Sequence, residues 1–135
     1  MPEKPYFPIP PLSPLKPVVW IGSARADPQA LPGDVRKTLG YAVYELQRGK
    51  FPAGTKRLKG ELRGLLELRD DFDGDTYRAV CTIELAGVVY VLHVFQKKST
   101  HGISLPKRDL AVIRARWQRA KADFKAQERH EDQTR

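Results

Sequence analysis

Arg78, Lys97, Lys98, His93 and Glu67 are the side chains of this sequence best suited to gripping or cutting a phosphodiester. A guanidinium holds two phosphate oxygens at once and stays charged at any working pH. An imidazole changes charge near neutrality, and a carboxylate can accept a proton. Arg78 stands near the start of the strand-like run Thr76–Leu85, and Lys97 and Lys98 stand at the end of the run Val88–Ser99. The short Ala86-Gly87 link makes these runs an antiparallel hairpin, which sets the start of one beside the end of the other. Arg78 and Lys97 or Lys98 are therefore expected at one edge of a sheet, as a rigid cationic site that fits a phosphate.

Alternation along a strand sorts the remaining candidates. Counted by twos, His93, Phe95 and Lys97 share one face, while Leu92, Val94, Gln96 and Lys98 share the other. A bulge would change that count. His93, flanked by apolar residues, reads equally as a proton carrier or as a hydrogen-bonded core histidine. Glu67 lies in the run Leu65–Arg69 on the same face as Arg69. It suits either a general base or an ion-pair partner of Arg78 or Arg69. Phe95 is a base-stacking platform or a core residue. Side chains of these types hold charge and move protons by themselves, so neither metal nor cofactor is expected.

The elements that must position these groups fit one domain. The chain has 135 residues, a formal net charge of +8 and a pI of about 9.8. That balance favours a polyanionic partner, with RNA or DNA ahead of an acidic membrane surface. The lone cysteine, Cys81, excludes an internal disulfide, and no Cys/His spacing suits zinc. No apolar run is long enough to span a bilayer and no secretory leader is evident, so the expected compartment is the cytoplasm.

Residues 1–17 are crowded with proline and read as an extended polyproline-like arm or a disordered leader. The folded part is expected over 18–127, with a polar tail at 128–135. Val18–Gly22 reads as a strand. Leu31, Val35, Leu39, Ala42, Val43 and Leu46 recur at helical spacing, with Pro32 in the first turn and Gly49 just past the end. Lys50 to Gly64 is a basic, glycine-punctuated connection whose Lys56, Arg57 and Lys59 suit contacts to RNA phosphates. Asp70–Asp75 reads as a hairpin turn, since the ligand spacing of a calcium loop is missing. Pro106 opens a helix through about Gln127, with an apolar stripe of Leu110, Ile113, Trp117, Ala120 and Phe124 and basic outer faces. The fold class is therefore α+β: a small, mostly antiparallel sheet with an N-terminal and a C-terminal helix packed on it.

This order resembles the RelE superfamily of bacterial type II toxins, in particular its phage-derived HigB-like branch. The resemblance runs from Lys16 to Phe124. It rests on Lys16–Ser23, on Val35–Ala42, on Lys56–Gly60 leading into Leu65–Arg69, and on Thr76-Tyr77-Arg78 paired with His93-x-Phe95-x-Lys97-Lys98. It implies a ribosome-dependent messenger endoribonuclease with Arg78, Lys97, Lys98, His93 and Glu67 as catalytic candidates. Lys56, Arg57, Lys59, Arg69 and Phe95 are then candidates for RNA contact. It also implies a cognate antitoxin, HigA-like with a helix-turn-helix domain, through which alone the complex meets DNA. A non-catalytic RNA- or DNA-binding regulator or a degenerate toxin of the same fold is the alternative.

Overall fold

The computed structural model describes residues 15–25, 27–97 and 105–134, with side chains placed through residue 130. The leader through residue 14, most of the segment between β5 and the last helix, and Lys98 lie outside the described residues. The elements run β1 (Val18–Trp20), α1 (Gly33–Gln47), β2 (Lys56–Arg57), β3 (Leu66–Phe72), β4 (Asp75–Thr82), β5 (Val89–Lys97) and α2 (Lys107–Thr134), with short 3-10 turns between β1 and α1 and before β3. The sheet order is β1-β5-β4-β3-β2. β1 lies parallel to β5, and the other neighbours are antiparallel. The α+β class and the mostly antiparallel sheet are as expected.

The two helices cover opposite faces. α1 places Val35, Leu39, Val43 and Leu46 against Leu66, Leu68, Tyr77, Ala79, Cys81, Val89 and Val91. α2 places Ile113, Trp117 and Ala120 against Leu62, Leu65, Val80, Tyr90 and Leu92. Of the stripes expected from sequence, these residues are buried, while Leu31, Ala42, Leu110 and Phe124 are half-buried against them. A 15-residue helix alone is marginal in water. Its stability comes from burying that stripe, at about 1.5–3 kcal/mol for each large aliphatic side chain removed from water.

Local chemistry ends α1 where the sequence indicated. Gly49 adopts φ 81°, its N–H bonds Leu46 O at 3.0 Å, and the Lys50 N–H bonds Glu45 O at 2.9 Å. These are the two bonds of a Schellman cap, and the left-handed residue at its centre favours glycine. Gly22 is constrained differently. It has φ +63°, and an added Cβ would lie 2.9 Å from Arg116 Nε. A side chain there meets both the backbone penalty and a packed guanidinium.

Several boundaries differ from expectation. β3 runs on to Phe72, so the turn shrinks to Asp73-Gly74, with both residues at positive φ. The Lys50–Gly64 connection contains the edge strand β2 and a 3-10 turn. α2 continues to Thr134 rather than ending near Gln127. No proline or glycine stands between those two positions, and the first residues of the extension, Glu128 and Arg129, are exposed.

β5 carries one irregularity that matters for the site. Val80 pairs with His93 but Cys81 pairs with Val91, so Leu92 is an extra residue on β5. Such a bulge reverses the alternation on one side of it. Tyr90 and Leu92 join the α2 cluster, Val94 joins the α1 cluster, and Phe95 returns to the α2 cluster.

Candidate active site

Paired residues in a sheet share a face, so register alone assembles the site. Tyr77, Ala79 and Cys81 point to α1, which leaves Thr76, Arg78 and Val80 on the α2 face. Across the strands three rungs line up there. Lys56 faces Glu67, which faces Val80, which faces His93. Arg69 faces Arg78, which faces Phe95. Asp71 faces Thr76, which faces Lys97. Arg78 and Lys97 thus sit on adjacent rungs of the same face, a diagonal separation of about 7–8 Å between backbones. They lie where β4 begins and β5 ends, but on interior strands. The expected edge of the sheet is an end of its face, because β1 and β2 occupy the flanks.

Arg78 and Glu67 form a buried ion pair through Arg78 Nη1 and Glu67 Oε1, with side chains 11% and 5% exposed. Arg78 Nε is also buried and has no hydrogen-bond partner among the described residues. Lys97 is 9% exposed. Burial pushes its ammonium below the usual lysine value, and Arg78 adds to the effect while Glu67 opposes it. Lys56 and Arg69 reinforce the lowering from further along the face. The fields of four cations and one carboxylate therefore meet at this end of the sheet. Arg69 is half-exposed and bonded to Asp71, with Nε to Oδ1 at 3.1 Å and Nη2 to Oδ2 at 3.0 Å. Arg69 and a 3.0 Å bond from the Thr76 hydroxyl hold the Asp71 carboxyl below its usual range.

His93 is tied into a second cluster. Its Nε2 lies 2.8 Å from Asp109 Oδ1 on α2, and its ring stacks on Phe95 with centroids 4.7 Å apart. Arg116 Nη1 approaches His93 Nδ1 at 3.4 Å and donates to Leu92 O at 2.8 Å. Arg116 Nη2 donates to Ser23 Oγ at 2.8 Å, and Asp27 Oδ2 lies 3.7 Å from Arg116 Nη1. Asp27 Oδ2 also lies 3.9 Å from His93 Nδ1, so both ring nitrogens have polar neighbours.

The expected site residues thus divide. Glu67, Arg78, Lys97, Lys56 and Arg69 come together. His93 and Phe95 share their face, buried and stacked on each other. Arg57 does not join them, because it pairs with Leu66 on the α1 face and lies over the Phe51 ring at 5.0 Å. Lys59 is exposed beside the edge strand. The partners of His93 were not legible in the sequence, where α2 reads as basic on every face but its apolar stripe. The trace they leave is that Asp109 and Arg116 fall in helical register with Ile113 and Ala120 of the buried stripe.

No group of three or more His, Cys, Asp or Glu side chains able to hold a metal occurs among the described residues. Nor does any described helix have the length and apolarity to cross a membrane.

The fold and its cluster define a small α+β domain with a cationic cluster built around one buried carboxylate. Residues 27–118 match the model of the Gp49-like family of phage-derived proteins. The chain belongs to that family, a RelE/HigB-like toxin family. No curated protein matches it. Among solved structures, it is similar to a chain of the toxin-antitoxin complex RelBE2 from Mycobacterium tuberculosis, with 26% identity, a TM-score of 0.47, and coverage of 61% of this chain and 98% of that one.

Proposed function

We propose that this chain is the toxin of a type II pair and acts as a metal-independent, ribosome-dependent messenger endoribonuclease. The observation that carries the reading is the meeting of Arg78 and Lys97 on adjacent rungs beside Glu67. A phosphate entering this site competes with Glu67 for the Arg78 guanidinium. Its arrival frees the carboxylate to accept the 2′-hydroxyl proton, so substrate binding and base activation are one event. The guanidinium and the Lys97 ammonium then face the charge that grows on the phosphate as the 2′-oxygen attacks. An ammonium with a lowered pKa is also the better proton donor to the leaving 5′-oxygen. His93, with Nε2 taken by Asp109, serves to position Phe95 and β5.

Lys56, Arg69 and Lys59 extend the charge toward the messenger backbone. Contacts of this kind give affinity with little choice of sequence. A cognate antitoxin, HigA-like with a helix-turn-helix domain, holds the toxin inactive in the cytoplasm and brings the complex to DNA.

The degenerate-toxin alternative draws on the same ion pair: a guanidinium already neutralised in a buried bond binds no substrate unless that bond opens. Inducible expression in a bacterium, with mapping of 5′ ends on ribosome-bound messenger, separates the two. The wild type is expected to stop growth and cut messenger, and Arg78→Ala to lose activity by about 10²–10³. Intact messenger and normal growth with wild-type protein would sink the nuclease reading and leave the binding one.

A further inference from the structure

We propose that the proline arm is a polyproline II strap for its own domain, docking on an aromatic cleft beside α1. The cleft has a volume of about 310 Å³ and is lined by Tyr41, Glu45, Phe51 and Pro52, with Leu68 at its floor. Tyr44 stands next to it, its ring 6.1 Å from that of Tyr41. Among the described residues the exposed large apolar side chains are Leu15, Tyr41, Tyr44 and Phe51, at 45%, 62%, 40% and 49%. All of them lie on α1, just beyond its C-terminus, or at the point where the arm joins the domain.

The arm carries a period that matches such a surface. Pro2, Pro5, Pro8, Pro11, Pro14 and Pro17 recur at every third position. A polyproline II helix has three residues per turn, so in that conformation prolines at this spacing fall on one edge. The next edge is Glu3, Tyr6, Ile9, Leu12 and Leu15, apolar from Tyr6 onward. Aromatic clefts bind such helices because the conformation is preformed and little entropy is lost.

Attachment and reach agree. Lys16 N bonds Gln47 O at 3.1 Å, and Gln47 Nε2 bonds Lys16 O at 2.8 Å. The arm therefore leaves the domain at the C-terminal end of α1, one helical turn from Tyr44. The 15 residues of α1 span about 22 Å, a length that about seven residues of polyproline II cover. Hydrogen-bond chemistry is also complementary. A proline-rich strand offers carbonyl acceptors and few donors. The rim supplies donors: the two tyrosine hydroxyls, Arg48 over Tyr44 at 5.7 Å, and Arg57 over Phe51.

A nitroxide on the full chain tests the docking. Pro10→Cys lies on the third edge, clear of both the proline edge and the apolar edge, and Cys81 is fully buried and stays unlabelled. Amide broadening is expected to focus on Thr38, Tyr41 and Phe51. It should vanish in Ile9→Ser/Leu12→Ser and in Tyr41→Ala/Phe51→Ala. Chymotrypsin cleavage after Tyr6 should be about tenfold faster in those variants, the ratio for an arm docked nine-tenths of the time. Diffuse broadening, or broadening unchanged by Ile9→Ser/Leu12→Ser, overturns the proposal. Broadening seen only between labelled and unlabelled molecules also overturns it, by making a second copy's arm the occupant.

Discussion

Arg116 donates a 2.8 Å hydrogen bond to the carbonyl oxygen of Leu92, the residue that β5 inserts as its bulge. A bulge leaves a backbone group outside the ladder, and a buried carbonyl without a donor is costly. Arg116 supplies the donor from α2 and ties Ser23 to the same point. The bulge lies on the N-terminal side of His93, Phe95 and Lys97, so it is part of what sets the face on which they emerge.

Arg116→Met is expected to destabilise the protein by about 1.5–3 kcal/mol, the range for hydrogen bonds to charged groups. Urea unfolding measures it. Arg114→Met is the control, since Arg114 meets Glu61 at the surface and its loss should leave the midpoint near wild type. Equal midpoints for the two variants would show that the Leu92 carbonyl does not depend on Arg116.

Removing one member of the Arg78–Glu67 pair leaves an uncompensated buried charge. Glu67→Leu alone is expected to cost about 3–5 kcal/mol. It also strips Lys97 of its one favourable neighbour. The double variant Glu67→Leu/Arg78→Met should recover most of that loss, because two apolar side chains replace two ions. A double variant no more stable than the single one would mean that the pair is not closed to water.

Lys97 predicts a pH dependence with a definite sign. Its folded-state pKa lies below the unfolded value, so between the two the unfolded chain binds more protons and stability rises with pH. Below the folded pKa the cost of the buried ammonium is present in full. Lys97→Met should therefore be more stable than wild type at neutral pH, with the gap narrowing as pH climbs toward the ordinary lysine value. Denaturant midpoints of both proteins at a series of pH values check this. A gap independent of pH would assign the gain to packing alone.

Cys81 is fully buried on the central strand, and burial pushes its thiol up to about 12. A thiol reagent should label it only when the sheet opens, because the thiolate is the nucleophile and is scarce in the folded state. The labelling rate should track denaturant as global unfolding does. Fast labelling in native buffer would expose a local opening between β4 and its neighbours.

The legible parts of this protein were local. The α2 stripe of Ile113, Trp117 and Ala120 and the α1 stripe of Val35, Leu39, Val43 and Leu46 follow from helical spacing. The Gly49 cap follows from φ preference, and the β4–β5 hairpin from two strand-like runs with a short link. The shared face of His93, Phe95 and Lys97 was countable from alternation, and it survives because the bulge falls before His93. Other features were not countable. Nothing in Val18–Trp20 tells that it lies parallel to β5, since a strand's partner depends on residues far along the chain. Arg57 looked like one of three equivalent cations, yet one step of alternation sends it to the face opposite Lys56.

The amino-acid order alone determined which side chains are apolar, at what period, and where the chain must turn. From these came two helices, a hairpin and a cationic end. Only the assembled sheet decided which charges meet. Register set Arg78 beside Lys97 and Glu67, and the packing of α2 turned Asp109 and Arg116 inward onto His93 and the Leu92 carbonyl. The physical reason is that alternation and helical period are properties of a few neighbouring residues. A charge's partner is instead chosen by contacts between segments distant in sequence, where burial removes the water that would otherwise satisfy it.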